Sequence, residues 1–339
     1  MKVAIALADK PQARVFPPPR GNQKCKNYWF LKSDGSRDLI PMPWVPLETL
    51  EPFKSTPDAE TAIAEGTDEI GALAAAIAKR MKDEVPAELI SQIDVIIVCS
   101  AGIDSPVGVS LAGMIKHILG TERAFAFAIG QVDGCAAFDA LRVARAFMNG
   151  PDKARVVAIV ANECCFNPYF RSFGTYAHYG DGAAALLLTA PEHSAEQASS
   201  ANGIEIIDIA LSRFELQRGP FDLVEPRWYR TDAWPQAVGA FLADFLRKHD
   251  LEAADLIAIH SPCLEAGFVD AVALASHLPL TPGVGGFVSS VDPLLAFTSE
   301  VAGSASGYVL SWSVGLNGEM GASLHWQGNR SITTVLEAN

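Results

Sequence analysis

Gly130-Gln131-Val132-Asp133-Gly134-Cys135-Ala136-Ala137-Phe138-Asp139 lies where one periodicity gives way to another. Ala124-Phe125-Ala126-Phe127-Ala128-Ile129 before it predicts a strand. Residues 136–149 after it predict a helix, with Phe138, Leu141, Val143, Ala144 and Met148 available for packing. Cys135 therefore falls at a strand-to-helix junction. The partial positive charge of a helix N-terminus is expected to lower its thiol pKa. Gly134 is expected to let a substrate come close to the backbone, and the Cys135 amide to face a developing oxyanion. A small buried thiol also serves simply as a packing group. The local sequence leaves both readings open, and the rest of the chain decides between them.

Working outward, strands are predicted at 2–7, 94–99, 154–161 and, after the turn Gly180-Asp181-Gly182, over 183–188. Helices are predicted at 61–83, 86–92 and 110–119, the last closed by Gly120. Residues 11–53 carry many prolines and admit only short strands or hairpins. A polar stretch, 193–203, separates a second series: strand 204–211, helix 234–249, strand 255–260, helix 268–278, and strands 307–312 and 321–326. Asp94-Val95-Ile96-Ile97-Val98-Cys99-Ser100 parallels Asp255-Leu256-Ile257-Ala258-Ile259-His260-Ser261, and each follows a long amphipathic helix. The order of elements repeats, which predicts a duplicated α/β unit with halves at 1–195 and 196–339.

Composition narrows the function classes. Of 339 residues, 49% are hydrophobic and 19% charged, the balance of an ordered chain with a sizeable core. A net charge of −13 disfavours nucleic acid and acidic membrane surfaces as partners. No apolar run reaches the roughly 18 residues of a membrane span, and Asp9-Lys10 interrupts the N-terminal apolar run too early for a signal peptide. The six cysteines form no Cys-x-x-Cys and no zinc spacing, so neither a metal nor a disulfide framework is expected, and a reducing, cytoplasmic setting is. Adjacent Cys164 and Cys165 read as core packing along a strand. No Gly-x-Gly-x-x-Gly follows the first strand, which argues against a dinucleotide dehydrogenase.

One further residue has the chemistry to work with Cys135. His260 ends a buried strand, at the sheet edge where α/β folds place their ligands. Cys/His pairs meet in space rather than in sequence. A lone histidine is otherwise a hydrogen-bonded structural residue.

From about residue 60 onward the chain resembles the ketoacyl-carrier-protein synthase III branch of the thiolase superfamily. Val132-Asp133-Gly134-Cys135-Ala136-Ala137-Phe138 resembles its nucleophile motif. Arg171-Ser172-Phe173-Gly174-Thr175 with Tyr179-Gly180-Asp181-Gly182-Ala183-Ala184-Ala185 resembles its Asp-Arg-x-Thr and Phe-Gly-Asp-Gly-Ala-Gly-Ala motifs. Ile259-His260-Ser261-Pro262 stands where the family has His-Gln-Ala-Asn, and 315–322 resembles its glycine-rich closing loop. The resemblance implies a thiolase-type α/β fold of two βαβαβ-like halves in five α/β/α/β/α layers. It implies an acyltransferase in which Cys135 takes an acyl group from a thioester and His260 assists the second step. The Cys135 amide and one near Asn317 or Gly318 would form the oxyanion hole.

The sequence also departs from that family. Its third catalytic residue is an Asn in Gly-Asn-Thr-Ser, and the matching stretch, 285–293, supplies none, leaving Ser289 and Ser290 as possible substitutes. This weakens the case for decarboxylative condensation and favours transfer to a carbon, hydroxyl or amine acceptor in a specialised biosynthetic pathway. Residues 11–53 lack the family's Trp and Arg pattern for the coenzyme A nucleotide, with Trp29 and Trp44 the only candidates, so an acyl carrier protein is favoured over coenzyme A as donor. No permanently bound cofactor is expected. A homodimer is expected from the family, and a heterodimer with a paralogue is the alternative if the chain is a non-catalytic partner subunit. A cysteine hydrolase would use the same pair and release free acid.

Overall fold

The computed structural model describes residues 1–9, 13–15, 27–31, 37–41, 60–62, 71–100, 110–130, 132–151, 153–163, 172–173, 177–190, 203–215, 233–284, 286–298, 305–315 and 318–328. The first half contains β1 (Lys2–Asp9), α1 (Ala72–Glu84), β2 (Ile93–Ser100), α2 (Leu111–Leu119), β3 (Phe125–Gly130), α3 (Ala136–Asn149), β4 (Val156–Glu163) and β5 (Gly182–Thr189). The second contains β6 (Ile204–Arg213), α4 (Ala233–Arg247), β7 (Leu256–His260), α5 (Ala266–Ser276), the short α6 (Asp292–Leu295), β8 (Gly307–Val314) and β9 (Glu319–Gln327). A hairpin of Asn27–Leu31 with Arg37–Pro41 stands apart from these.

The two halves share one strand plan. β1 pairs antiparallel with β5, β5 antiparallel with β4, and β4 parallel with β2. In the second half β6 pairs antiparallel with β9, β9 antiparallel with β8, and β8 parallel with β7. The first half adds β3, parallel to β2. A two-residue antiparallel contact, Lys2 with Glu205 and Val3 with Ile204, joins the two sheets into one of nine strands.

Five layers follow from where the apolar faces point. α1 and α2 cover one face of the first sheet, packing on Ile96, Val98, Val160 and Leu187. α4 and α5 cover the far face of the second, on Leu310, Trp312, Ala322 and Leu324. α3 and α6 lie between the sheets. A helix covered on both sides must be apolar around most of its surface. In α3, Ala136, Ala137, Phe138, Ala140, Leu141, Ala144 and Met148 are all buried, and its many alanines let both sheets approach. This is the α/β/α/β/α arrangement that the family resemblance implies.

Local chemistry sets the ends of the elements. Ser110 Oγ accepts from the Gly113 amide at the start of α2, and Gly120, at φ 72°, ends it. The helix predicted at 61–83 is shorter than expected. Glu60–Ala62 is a strand paired with Ala13–Val15, and α1 starts only after Gly71, which sits at φ 82°. A left-handed glycine starts the helix anew there, and residues 63–70 lie outside the described residues. The boundary expected near residue 195 also falls outside them, as do Cys164, Cys165, Arg171, Gly174, Thr175 and Trp44; Trp29 is described only as part of its strand. Among the described residues no helix is long and apolar enough to cross a membrane.

Candidate functional site

Cys135 closes a 3-10 turn, Asp133–Cys135, and is the N-cap of α3. Its side chain is fully buried, and its thiol faces the Ser313 carbonyl of β8 at 3.8 Å. Packing requires a glycine at 134. A Cβ there would crowd the Ser313 side chain, lie 2.7 Å from Val314 O and 3.0 Å from Phe287 Cζ. The glycine lets β8 and the Phe287 ring close over the turn.

The expected lowering of the Cys135 pKa is not what the fold produces. Burial pushes the thiol well above its ordinary value, and the carboxylates of Asp133, Glu319 and Asp139 push it further. Only the Gly315 backbone amide acts the other way. The helix terminus is present, but the sulfur sits out of water among carboxylates, which favours the neutral thiol over the thiolate.

A second 3-10 turn, Ser289–Val291, leads into α6 as Asp133–Cys135 leads into α3. Ser289 has φ 43° and Asp133 φ 45°, a conformation uncommon for either residue type. The two turns meet: Ser289 Oγ donates to Asp133 Oδ1 at 2.6 Å, and Tyr179 OH donates to Asp133 Oδ2 at 3.2 Å. Ser290 donates to Glu163 Oε1 through its hydroxyl at 2.5 Å and its amide at 3.2 Å. Both hydroxyls named as substitutes for the missing Asn are thus bound to carboxylates of the first half. Phe287 is buried in that stretch, its ring 5.5 Å from Tyr179 and its carbonyl accepting from the Gly180 amide at 2.9 Å.

His260 ends β7 and pairs with Ser311 of β8, two residues from the Ser313 that faces Cys135. Both candidates therefore lie next to β8, two residues apart along it. The Nε2 atom of His260 is shielded from solvent. The Cys135 amide donates to Val132 O at 3.0 Å, and the Gly318 amide to Gly315 O at 3.2 Å, so an oxyanion at either would share a donor already used in a turn. Asn317 lies outside the described residues.

The sequence reading missed His325. It is fully buried on β9, with its ring 4.5 Å from Phe297. Burial drives its pKa down to about 3, His260 lowers it too, and only the Ala296 backbone favours the charged ring. Its position two residues after Ser323, on one strand face, is a signal visible only once β9 is paired. Among the described residues no His/Cys/Asp/Glu cluster could hold a metal ion.

No family model matches the sequence, and no curated protein sequence does. Solved structures do match. An acyltransferase, ChlB3, aligns over 96% of this chain and 97% of its own, with a TM-score of 0.67 at 16% identity. OleA of Xanthomonas campestris aligns over 96% and 98%, with a TM-score of 0.67 at 13% identity. The 3-oxoacyl-[acyl-carrier-protein] synthase III of Aquifex aeolicus aligns over 79% of this chain and 87% of its own, with a TM-score of 0.60 at 17% identity. At these identities the likeness is one of fold, and it spans nearly the whole chain: this protein has the thiolase-type fold of the ketoacyl-carrier-protein synthase III structures.

Proposed function

We propose that the protein is an acyltransferase of the ketoacyl synthase III type. Cys135 takes the acyl group of a thioester, and His260 assists its transfer to a carbon, hydroxyl or amine acceptor. What supports this reading is that the helix-capping thiol of Cys135 faces β8 at Ser313 while His260, at the end of β7, pairs with β8 at Ser311. In the first step the thiol sulfur bonds to the acyl carbon, the carrier thiol leaves, and the Cys135 proton passes to a base or to the leaving thiolate. In the second step the acceptor attacks the acyl carbon, the bond to Cys135 Sγ breaks, and the acceptor's proton passes, with His260 assisting, to the departing thiolate. The donor is an acyl carrier protein or coenzyme A thioester, and no resident cofactor takes part. Because 285–293 has no Asn and its two serines are bound to carboxylates, an acceptor that needs no decarboxylation fits best. We also read the chain as a homodimer of a reducing, cytoplasmic setting.

Intact-protein mass spectrometry after incubation with a panel of acyl thioesters tests the first step. The expected result is an acyl adduct that disappears in Cys135→Ala. No adduct from any donor would overturn it and favour a non-catalytic partner subunit, a reading that the carboxylate-ringed neutral thiol also suits.

A further inference from the structure

The ring of Phe287 closes over the turn that carries Cys135. Its tip, Cζ, lies 3.0 Å from where a Cβ at Gly134 would stand. Phe287 is 1% exposed. Its backbone is held on both sides. Its carbonyl accepts from the Gly180 amide at 2.9 Å, and the next amide, that of Val288, donates to Asp292 Oδ2 at 3.0 Å. Its ring lies 5.5 Å from the Tyr179 ring, and Tyr179 OH is tied in turn to Asp133. The phenyl is therefore a fixed wall of the Cys135 turn.

The sequence shows what this wall replaces. Gly286-Phe287-Val288-Ser289 keeps the Gly and the Ser of Gly-Asn-Thr-Ser, which puts Phe287 in the place of the Asn. An amide there would donate to a negative charge, whereas a phenyl donates nothing. The other sides of the turn are acidic. Asp133 opens it. Glu319 Oε2 lies 2.6 Å from where a Cβ at Gly315 would stand, a position that is also 2.9 Å from Val132 O. Asp133 and Glu319 both act on the thiol, as does Asp139, which has Arg142 beside it. A carboxylate brought up to Cys135 would lose its water against an apolar ring and meet like charges as well.

We infer that Phe287 is a specificity-determining residue, an apolar wall that admits neutral acyl groups to Cys135 and turns away those ending in a carboxylate. The substrate class is then the thioester of a monocarboxylic acid. Malonyl and succinyl thioesters are excluded both as donors to Cys135 and as acceptors at it. Phe287 acts by contact with the acyl chain and takes no part in bond making. The inference rests on Cys135 being the reactive group of the proposed acyltransferase, but its test uses no acyl donor, so failure of that reading and failure of this one are distinguishable.

The test compares two alkylating agents of nearly equal size, neutral iodoacetamide and anionic iodoacetate, at Cys135 of the full chain, read by peptide mass spectrometry. The reference is the ratio of the two rates at Cys135 in the urea-unfolded chain. In the native chain the preference for iodoacetamide is expected to exceed that reference about tenfold or more. Phe287→Asn is expected to narrow the preference about threefold or more, and Phe287→Leu, which keeps the wall apolar, to retain it. A native ratio equal to the unfolded one would overturn the inference, as would a native ratio in a Phe287→Asn chain of native circular dichroism. If Phe287→Asn does not fold, Phe287→Gln decides by the same ratio. If native Cys135 resists both reagents, Phe287→Asn decides: alkylation by both supports the wall, and anything less overturns it.

Discussion

Ser289 and Asp133, 156 residues apart, are joined by a 2.6 Å hydrogen bond between two turns of matching backbone shape. Both partners are buried, and both hold a left-handed conformation. Ser289→Ala removes one buried hydrogen bond to the Asp133 carboxylate and is expected to cost about 1–3 kcal/mol in urea unfolding. Ser289→Gly loses the same bond but relieves the positive φ, so it should be less destabilised than Ser289→Ala by about 1 kcal/mol. Equal losses would show that backbone strain at Ser289 is negligible.

Asp133→Asn tests the electrostatics of the thiol. Burial is the largest cause of the raised Cys135 pKa and the Asp133 carboxylate the next. A negative neighbour disfavours thiolate, so removing it lowers the thiol pKa and increases thiolate at neutral pH. Alkylation of Cys135 at pH 7 should become faster in Asp133→Asn. A rate equal to or below that of the unmodified protein would contradict this.

Gly321→Ala addresses the fit of the central helix. A Cβ at Gly321 would press into the Phe138 ring, with Cε2 at 2.9 Å. The expected loss is about 1–3 kcal/mol from overpacking. Phe138→Leu in the same chain should recover part of it, giving a non-additive double-mutant cycle.

Asp208 of β6 ties three layers together. It accepts from Arg145 of α3 at 3.2 Å, from Lys248 just beyond α4 at 2.7 Å, and lies 2.9 Å from His249 Nε2. Burial alone would raise its pKa, but the Lys248 bond, the Ile209 amide and His249 outweigh it and hold the group at about 2. A depressed carboxylate contributes stability that is fully present above its unfolded pKa of about 3.9 and lost as pH falls through about 2. The shift corresponds to about 2 kcal/mol. Acid titration of stability should therefore be shallower for Asp208→Asn between pH 4 and pH 2, with lower stability at pH 7.

β3 is the edge of the first sheet among the described residues, and it reads Phe-Ala-Phe-Ala-Ile-Gly with Phe125 59% exposed. Phe125, Phe127 and Phe147 cluster there with ring centroids 5.3–6.1 Å apart. An uncharged, apolar edge invites pairing with another strand. Light scattering is expected to give a dimer, and Phe125→Lys with Ala128→Lys a monomer. A dimer that persists in the double variant would place the contact elsewhere.

Much of this was legible in the sequence, for physical reasons. β2 and α3 are long and strongly patterned, so period and composition locate them within a residue or two. The repeat of Asp94-to-Ser100 in Asp255-to-Ser261 is legible because both segments hold the same place in the strand plan, each parallel to the next strand inward. The acidity around Cys135 was not legible. Glu319 and Asp133 lie far apart in sequence, and only the closing of β9 onto the turn brings both to the sulfur. The helix argument considered one element and missed the charges brought by the others. Nor could the sequence reveal that Ser289 and Ser290 spend their hydroxyls on Asp133 and Glu163, since that needs the second turn folded against the first.

The contact between Cys135 and Ser313 spans 178 residues and exists only when both halves have closed. Before closure the thiol is in water, far from Glu319, with an ordinary acidity. A partly folded chain should therefore react faster with electrophiles than the native one. Cys135 is in that sense a clock for refolding. Its modification marks molecules whose halves had not yet met, and its protection dates the moment at which the Cys135 turn closed onto β8.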